Sequence, residues 1–392
     1  MKILFYRYGS ICEPDIIEGF EELGHTVSQI TEEISNKDLV FGDSARIVSN
    51  YLMEHPQDCV FTINFFPVIS DVCNIFKIPY LCWSVDSPVL ELFAKSIQNP
   101  CNRIFLFDRA QYDEIAPLNP GHTFHFPLAV NVKGKQQVLQ NASASQKAHF
   151  AADISFVGSL YTEKCPYDKL TNPPEYLTGF LNGLIESQLK VYGYYFVEDL
   201  LTDEIIAHFK AHLPGFYTYP LDNFLTDRQT IAQLYIGNKI TAVERLRTMA
   251  ILSEHFNLDL YTGSDTSTLP KVNNRGFAKS LTEMPIIFHE SKINLNTTSK
   301  AIRSGLPQRI FDIMGCGGFV LTNYQAELPE IFQIGSEVAA YGSLEEMKDM
   351  ARYYLEHEKE RVEIAQNGYE KVARDYNYPV RLEQLLQLAF SI

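Results

Sequence analysis

The stretch Arg-Ser-Gly-Leu-Pro-Gln-Arg-Ile-Phe-Asp-Ile-Met-Gly-Cys-Gly-Gly-Phe-Val-Leu-Thr-Asn (303–323) reads as a turn, a short helix, a double-glycine stop and a buried strand. Pro307 suits a first helical turn, where its missing N–H is not needed, and Gly315, Gly317 and Gly318 supply the permissive backbone that ends a helix. Gln308, Arg309 and Asp312 fall three and four residues apart on one polar face, leaving Ile310, Phe311, Ile313 and Met314 to be buried. A cation and a carboxylate therefore sit together beside a helix N-terminus. Such an end attracts phosphate through its free N–H groups and dipole, and a carboxylate one turn further in can accept both hydroxyls of a ribose.

Working outward, 392 residues are too many for one ordinary core and fit two α/β lobes. The 33 Lys+Arg against 48 Asp+Glu give a net charge of −15, which opposes nucleic acid and anionic bilayers as partners, so a phosphate-bearing ligand must be met by local cations. No apolar run approaches the roughly 18–20 residues of a membrane span, and the opening Met-Lys-Ile-Leu-Phe leads into a strand rather than a signal peptide. A cytoplasmic location is expected. Seven cysteines with no Cys-x-x-Cys pair imply reduced, mostly buried thiols, and ten scattered histidines show no ligand spacing, so no metal is assigned.

Strands are expected at 2–8, 25–30, 58–64, 79–85, 103–107 and 122–127, with a helix over 15–23 and another starting at Pro88. These make an N-terminal Rossmann-like domain of residues 1–131. Residues 132–150 are polar, small and weakly periodic, as a linker would be. The pattern restarts with a strand at 153–157, and a C-terminal Rossmann-like domain is expected over 151–375. It carries a helical insertion at about 174–238, then a helix at 241–255, strands at 258–263 and 292–296, and a helix at 281–290. Helices over 344–372 and 378–390 follow, and the segment 376–392 is expected to pack back on the N-terminal lobe.

Gly9 stands alone after the first strand, so the three-glycine dinucleotide fingerprint is missing, and there is no Gly-x-x-x-x-Gly-Lys loop, Gly-x-Ser-x-Gly elbow or His-Glu-x-x-His pair. Neither NAD nor ATP chemistry is signalled, and no cofactor is expected.

Ser-Gly-Leu-Pro-Gln-Arg-Ile-Phe-Asp (304–312) resembles the donor-site stretch of glycosyltransferases of the GT-B fold, with Asp312 where those enzymes carry a second glutamate. More closely, the chain is similar to the CgeB-like group, named for a spore maturation protein, with a C-terminal domain like that of group 1 glycosyltransferases. Cys-Trp-Ser-Val-Asp-Ser-Pro (82–88), Asp-Ile-Ser-Phe-Val-Gly-Ser-Leu-Tyr (153–161), Ile-Asn-Leu-Asn (293–296) and Arg-Ile-Phe-Asp (309–312) carry the likeness, with Tyr-Tyr-Leu-Glu-His (353–357) in the tail. The resemblance implies an α/β, GT-B-type fold of two Rossmann-like lobes facing a central cleft. It also implies a nucleotide-sugar donor, such as a UDP-sugar, held mainly by the second lobe, and an acceptor reaching in from the first.

The expected activity is metal-independent transfer, of hexosyltransferase type, to an unknown sugar acceptor. A nucleotide-sugar epimerase of the same fold and a non-catalytic sugar-nucleotide-binding protein are the alternatives. Arg309 is the candidate for stabilising the departing diphosphate, against a surface ion pair with Asp312. Asp312 is the candidate ribose ligand, against an ordinary solvated helix position. Ser304 stands where related retaining enzymes have their first glutamate, and it cannot supply that charge. Gly158 and Ser159 let backbone N–H groups approach a diphosphate or form a plain tight turn. Gly276 and Phe277 fall where related folds cradle the base, with core packing of Phe277 the blander account. Asn296 and Gly305 complete the donor set. Asp86, just beyond the carboxyl end of a buried strand, is the candidate general base, or else a cap for the helix at Pro88. The loop 7–10 and Asn64 with Phe65-Phe66 are weaker acceptor-side candidates.

Overall fold

The computed structural model describes residues 1–37, 39–163 and 165–391. They form two compact units, Met1–Asn131 with Tyr219–Leu225 and Arg374–Ile392, and Val132–Thr218 with Thr226–Ala373. The first unit is built on β1 (Lys2–Tyr6), β2 (Thr26–Ile30), β3 (Cys59–Ile63), β4 (Tyr80–Ser84), β5 (Asn102–Leu106) and β6 (Thr123–His125). Their order is β2-β1-β3-β4-β5-β6, every pairing parallel. Strands β3 and β4 are buried at every residue, which is why Cys-Val-Phe-Thr-Ile and Tyr-Leu-Cys-Trp-Ser read as runs without polar alternation. The last helix, Tyr378–Phe390, packs on Glu13–Glu22 at Gly19, where a Cβ would lie 2.7 Å from the Leu382 side chain.

The second unit contains β7 (Ala152–Val157), β8 (Leu258–Tyr261), β9 (Asn273–Asn274), β10 (Ser291–Asn296), β11 (Val320–Asn323) and β12 (Ala339–Tyr341). The order β12-β11-β10-β7-β8-β9 is again wholly parallel. Each sheet therefore reverses its strand order once, between β1 and β3 in the first unit and between β7 and β10 in the second. At such a point the two connections leave in opposite directions and open a crevice above the carboxyl ends of the strands. These two crevices position everything below.

The expected linker at 132–150 is corrected: it forms two helices, Val132–Asn141 and Ala144–Phe150, the second opened by a Ser143–Gln146 capping box. Only Leu139 and Phe150 of these helices are buried, so their hydrophobic periodicity is faint. The region 174–238 is helical and has its own core around Leu181, Phe209, Tyr235 and Ile240. Within it, however, Tyr219–Leu225 joins the first unit, where Asn223 bridges Ala94 and the Lys95 N–H donates to the Asp222 carbonyl at 2.9 Å. No α-helix starts at Pro88; two 3-10 turns, Leu90–Phe93 and Lys95–Gln98, stand there instead. Strands β9 and β12, of two and three residues, are too short to leave a period in the sequence. All seven cysteines are free thiols, six buried and Cys101 partly so. No helix among the described residues is long and apolar enough to cross a membrane.

Candidate functional site

In the second unit, the loop after β7 begins at Gly158 and the loop after β10 at Thr297, on the two sides of the switch point. Arg245, on the helix Gly237–His255, spans them: one Nη donates to the Ser159 carbonyl at 2.6 Å and the other to the Thr297 carbonyl at 2.7 Å. Its guanidinium also lies 4.8 Å from the Tyr161 ring centroid, and its Nε is buried without an acceptor among the described residues. Burial holds Arg245 below the usual arginine range; Tyr161 and Glu244 oppose the shift, and the charge of Arg309 adds to it. Arg309 lies in the first turn of the helix that follows β10, and its charge acts on Arg245. Lys300, 6% exposed, sits 3.4 Å from the carboxylate of the fully buried Glu244, the residue before Arg245. Burial pushes Glu244 up and Lys300 pulls it down.

Arg309 lies on the helix Gln308–Gly315, with Pro307 at the N-cap rather than inside the first turn. Its guanidinium rests 5.2 Å from the Phe288 ring centroid and one Nη is 3.8 Å from the Met284 sulfur. The suspected Arg309–Asp312 surface pair is corrected. Asp312 is 8% exposed, and its Oδ1 takes Lys135 at 3.8 Å and the Gln308 amide at 3.3 Å. Lys135 comes from the helix mistaken for a linker. Asp312 Oδ2 has no protein donor among the described residues, so it can still accept a hydroxyl.

The charge missing at Ser304 is supplied from elsewhere. Its hydroxyl donates to the Glu327 carboxylate at 2.8 Å, and Glu327, 2% exposed, arrives on the loop after β11. Gly305 is buried beside this pair. Gly158 donates its N–H to the Tyr261 carbonyl at 3.0 Å, while the Ser159 hydroxyl donates to Glu163 at 2.6 Å and accepts from the Tyr161 N–H at 2.8 Å. The loop after β7 is therefore a tight turn whose Ser159 carbonyl holds Arg245.

Gly276 adopts φ +74°, beyond the end of β9, and its N–H donates to Asn274 Oδ1 at 2.9 Å. Phe277 is 77% exposed, which overturns the core-packing account: the ring stands in solvent at the strand ends. Asn296 is 4% exposed, its amide donating to Thr298 at 3.0 Å and Thr322 at 2.9 Å. Its amide nitrogen thus ties the loop after β10 to β11.

In the first unit, Asp86 is exposed at the carboxyl end of β4, and its Oδ2 accepts from the Asn64 amide at 2.7 Å. The capping account is corrected, because no helix begins at Pro88 and Ser87 donates instead to Asp108, the N-cap of Arg109–Ile115. No local signal marks Arg245. It shares its helix with Arg247, which spends its charge on Glu186 at the surface, and nothing local separates the two.

Residues 241–387 match a family model described as "Glycosyl transferase-like". No curated protein matches the chain. Among solved structures, Alr3699/HepE of Anabaena in complex with UDP-glucose aligns at 11% identity, over all of both chains, with a TM-score of 0.57. A glycosyltransferase from Rickettsia africae aligns at 10% identity over 100% of this chain and 98% of its own, with a TM-score of 0.54. The sucrose-phosphate synthase of Thermosynechococcus elongatus gives 10% identity, 100% and 99% coverage, and 0.53. The chain thus has the α/β two-lobe fold of GT-B glycosyltransferases.

Proposed function

We propose that the chain is a glycosyltransferase of the CgeB-like kind, moving a hexosyl group from a UDP-sugar to an acceptor hydroxyl without a metal ion. The observation that carries this reading is Arg245 pinned across the switch point of the second sheet, with Arg309 in the first turn of the helix that follows β10. In transfer, a bond forms between the acceptor oxygen and the anomeric carbon while the bond from that carbon to the diphosphate breaks, its electron pair leaving on UDP. The growing charge needs fixed positive groups, and a guanidinium already held by two carbonyls reorganises little as that charge develops. Phe277 would stack on the base, Asp312 Oδ2 would accept from the ribose, and Asp86 would take the acceptor proton. The seven free thiols suit work in the cytoplasm.

The test is to incubate the full-length chain with UDP-glucose, UDP-galactose and GDP-mannose, with and without a panel of sugar acceptors, following nucleoside diphosphate release and sugar identity. Acceptor-dependent UDP release supports transfer. Conversion of the sugar without acceptor identifies an epimerase, binding without turnover a sugar-nucleotide-binding protein, and no binding of any nucleotide rejects the site itself.

A further inference from the structure

The switch point of the first unit is also spanned by a side chain. Asn64 follows β3 and Tyr8 follows β1, the two strands between which the order reverses. One amide nitrogen, Asn64 Nδ2, donates to the Tyr8 hydroxyl at 3.0 Å and to Asp86 Oδ2 at 2.7 Å. The amide oxygen accepts from the Ser84 hydroxyl at 3.1 Å, the Val85 N–H at 3.1 Å and the Asp86 N–H at 3.4 Å. Asn64 does this from φ +58°, a left-handed backbone that asparagine tolerates better than most residues. Its N–H donates to the Trp83 carbonyl at 3.1 Å and its carbonyl accepts from Thr62 at 2.6 Å, so the conformation is over-determined. Strain fixed in this way at a sheet's carboxyl edge marks a place where a side chain must point in one direction.

Tyr8 is held as firmly. The Glu13 carboxylate, fully buried, accepts from the Tyr8 N–H at 2.8 Å and the Gly9 N–H at 2.9 Å, and pairs with Arg7 at 2.9 Å. The Tyr8 ring lies 5.6 Å from that of Phe66, which is only partly buried. Tyr8 oxygen accepts from Asn64, which leaves the phenol its own O–H to donate; burial, then the Asp86 charge, push its pKa up against a hydrogen bond with the Ser10 side chain. Among the described residues Asp86 Oδ1 has no donor. Two fixed groups of opposite sense remain side by side, a carboxylate oxygen that accepts and a phenol that donates.

We propose that Asn64 is the positioning residue of an acceptor subsite in which Asp86 Oδ1 accepts from one hydroxyl of a polyhydroxylated ring and Tyr8 donates to its neighbour, with Phe66 against the ring face. The acceptor class is therefore a sugar or cyclitol with adjacent hydroxyls rather than a lone alcohol or an amine. This deepens the transfer reading and rests on it for the fate of the proton; the binding claim stands by itself.

Saturation-transfer NMR on the full-length chain with D-glucose, myo-inositol and cyclohexanol tests it, alongside calorimetric titration of UDP. Wild type should transfer saturation to glucose or inositol and not to cyclohexanol. Asn64→Gly accommodates the left-handed backbone and removes the side chain with its amide, and Tyr8→Phe removes the hydroxyl while keeping the ring. Each should cut the polyol signal at least five-fold while leaving UDP affinity unchanged. A wild-type signal for neither polyol, an equal signal for cyclohexanol, or undiminished signal in both variants would overturn the proposal. Loss of UDP binding in wild type with the polyol result intact would instead strike the donor-site reading alone.

Discussion

The Ser304 hydroxyl donates to the Glu327 carboxylate at 2.8 Å, and the Glu327 N–H donates back to the Ser304 carbonyl at 3.2 Å. Two loops at the carboxyl edge of the second sheet are thereby latched, one before the helix Gln308–Gly315 and one after β11. The resemblance places a glutamate at 304; here the carboxylate reaches the same loop from residue 327, and the serine is its donor. Ser304→Ala removes a hydrogen bond to a buried charged acceptor and should lower stability by about 1.5–3 kcal/mol. Ser304→Glu would set two carboxylates against each other and cost more. Urea unfolding measures both, and a midpoint unchanged in Ser304→Ala would show that the latch contributes nothing.

Arg245 and Arg309 answer to a different readout. If they hold the diphosphate, Arg245→Gln and Arg309→Gln should each weaken UDP binding by roughly ten-fold or more, about 1.4 kcal/mol per decade, and leave uridine binding as it was. Because Arg245 also ties Ser159 to Thr297, its loss affects the loops as well. Arg309 carries its guanidinium over Phe288 and beside the Met284 sulfur. Calorimetry with UDP and uridine separates the cases: equal loss for both ligands means the arginines act only through the fold.

Phe277 offers the cleanest separation of binding from stability. A ring 77% exposed contributes little to the core, so Phe277→Ala should change stability by no more than about 0.5 kcal/mol, as is usual for surface changes. Stacking between an aromatic ring and a base is worth about 1–3 kcal/mol, so nucleotide affinity should fall roughly five- to hundred-fold. Unchanged UDP affinity in this variant would remove Phe277 from the donor site.

The parts of this molecule that were legible in the sequence share one property: their signal is local. Buried parallel strands such as β3 and β4 announce themselves as apolar runs, and the Gly317-Gly318 stop is visible because only a permissive backbone ends a helix that way. The position of Asp86 just beyond a strand was legible from the apolar run before it. What escaped was set by contacts distant in the chain. Lys135 meets Asp312 across 177 positions, Arg245 meets Ser159 across 86, and Glu327 meets Ser304 across 23. The helices at 132–150 hid for the opposite reason, since they bury so little that no period rises above their polar composition. Phe277 misled because a phenylalanine in a chain with 26 of them is expected in the core, and exposure is not written in residue type.

The helix bearing Arg309 and Asp312 is seated by glycines, and that seating can be tested without touching a polar residue. Its end is a Schellman motif: the Gly317 N–H donates to the Met314 carbonyl at 2.9 Å and the Gly318 N–H to the Ile313 carbonyl at 3.0 Å, with Gly317 at φ +73°. Any Cβ at Gly318 would lie 2.4 Å from the Phe288 carbonyl oxygen and 2.8 Å from the Asn294 amide nitrogen. Neither neighbour can yield easily, because that amide donates to the Phe288 carbonyl at 2.9 Å and its oxygen accepts from Ser155 at 3.1 Å. Gly318→Ala should therefore cost about 3 kcal/mol, the upper part of the range for overpacking, whereas Gly317→Ala should cost about 1–2 kcal/mol from backbone strain alone. Thermal unfolding ranks the two. If the alanine at 318 proves no worse than the alanine at 317, the helix is not clamped against β10, and the position of Arg309 at the strand ends loses its physical support.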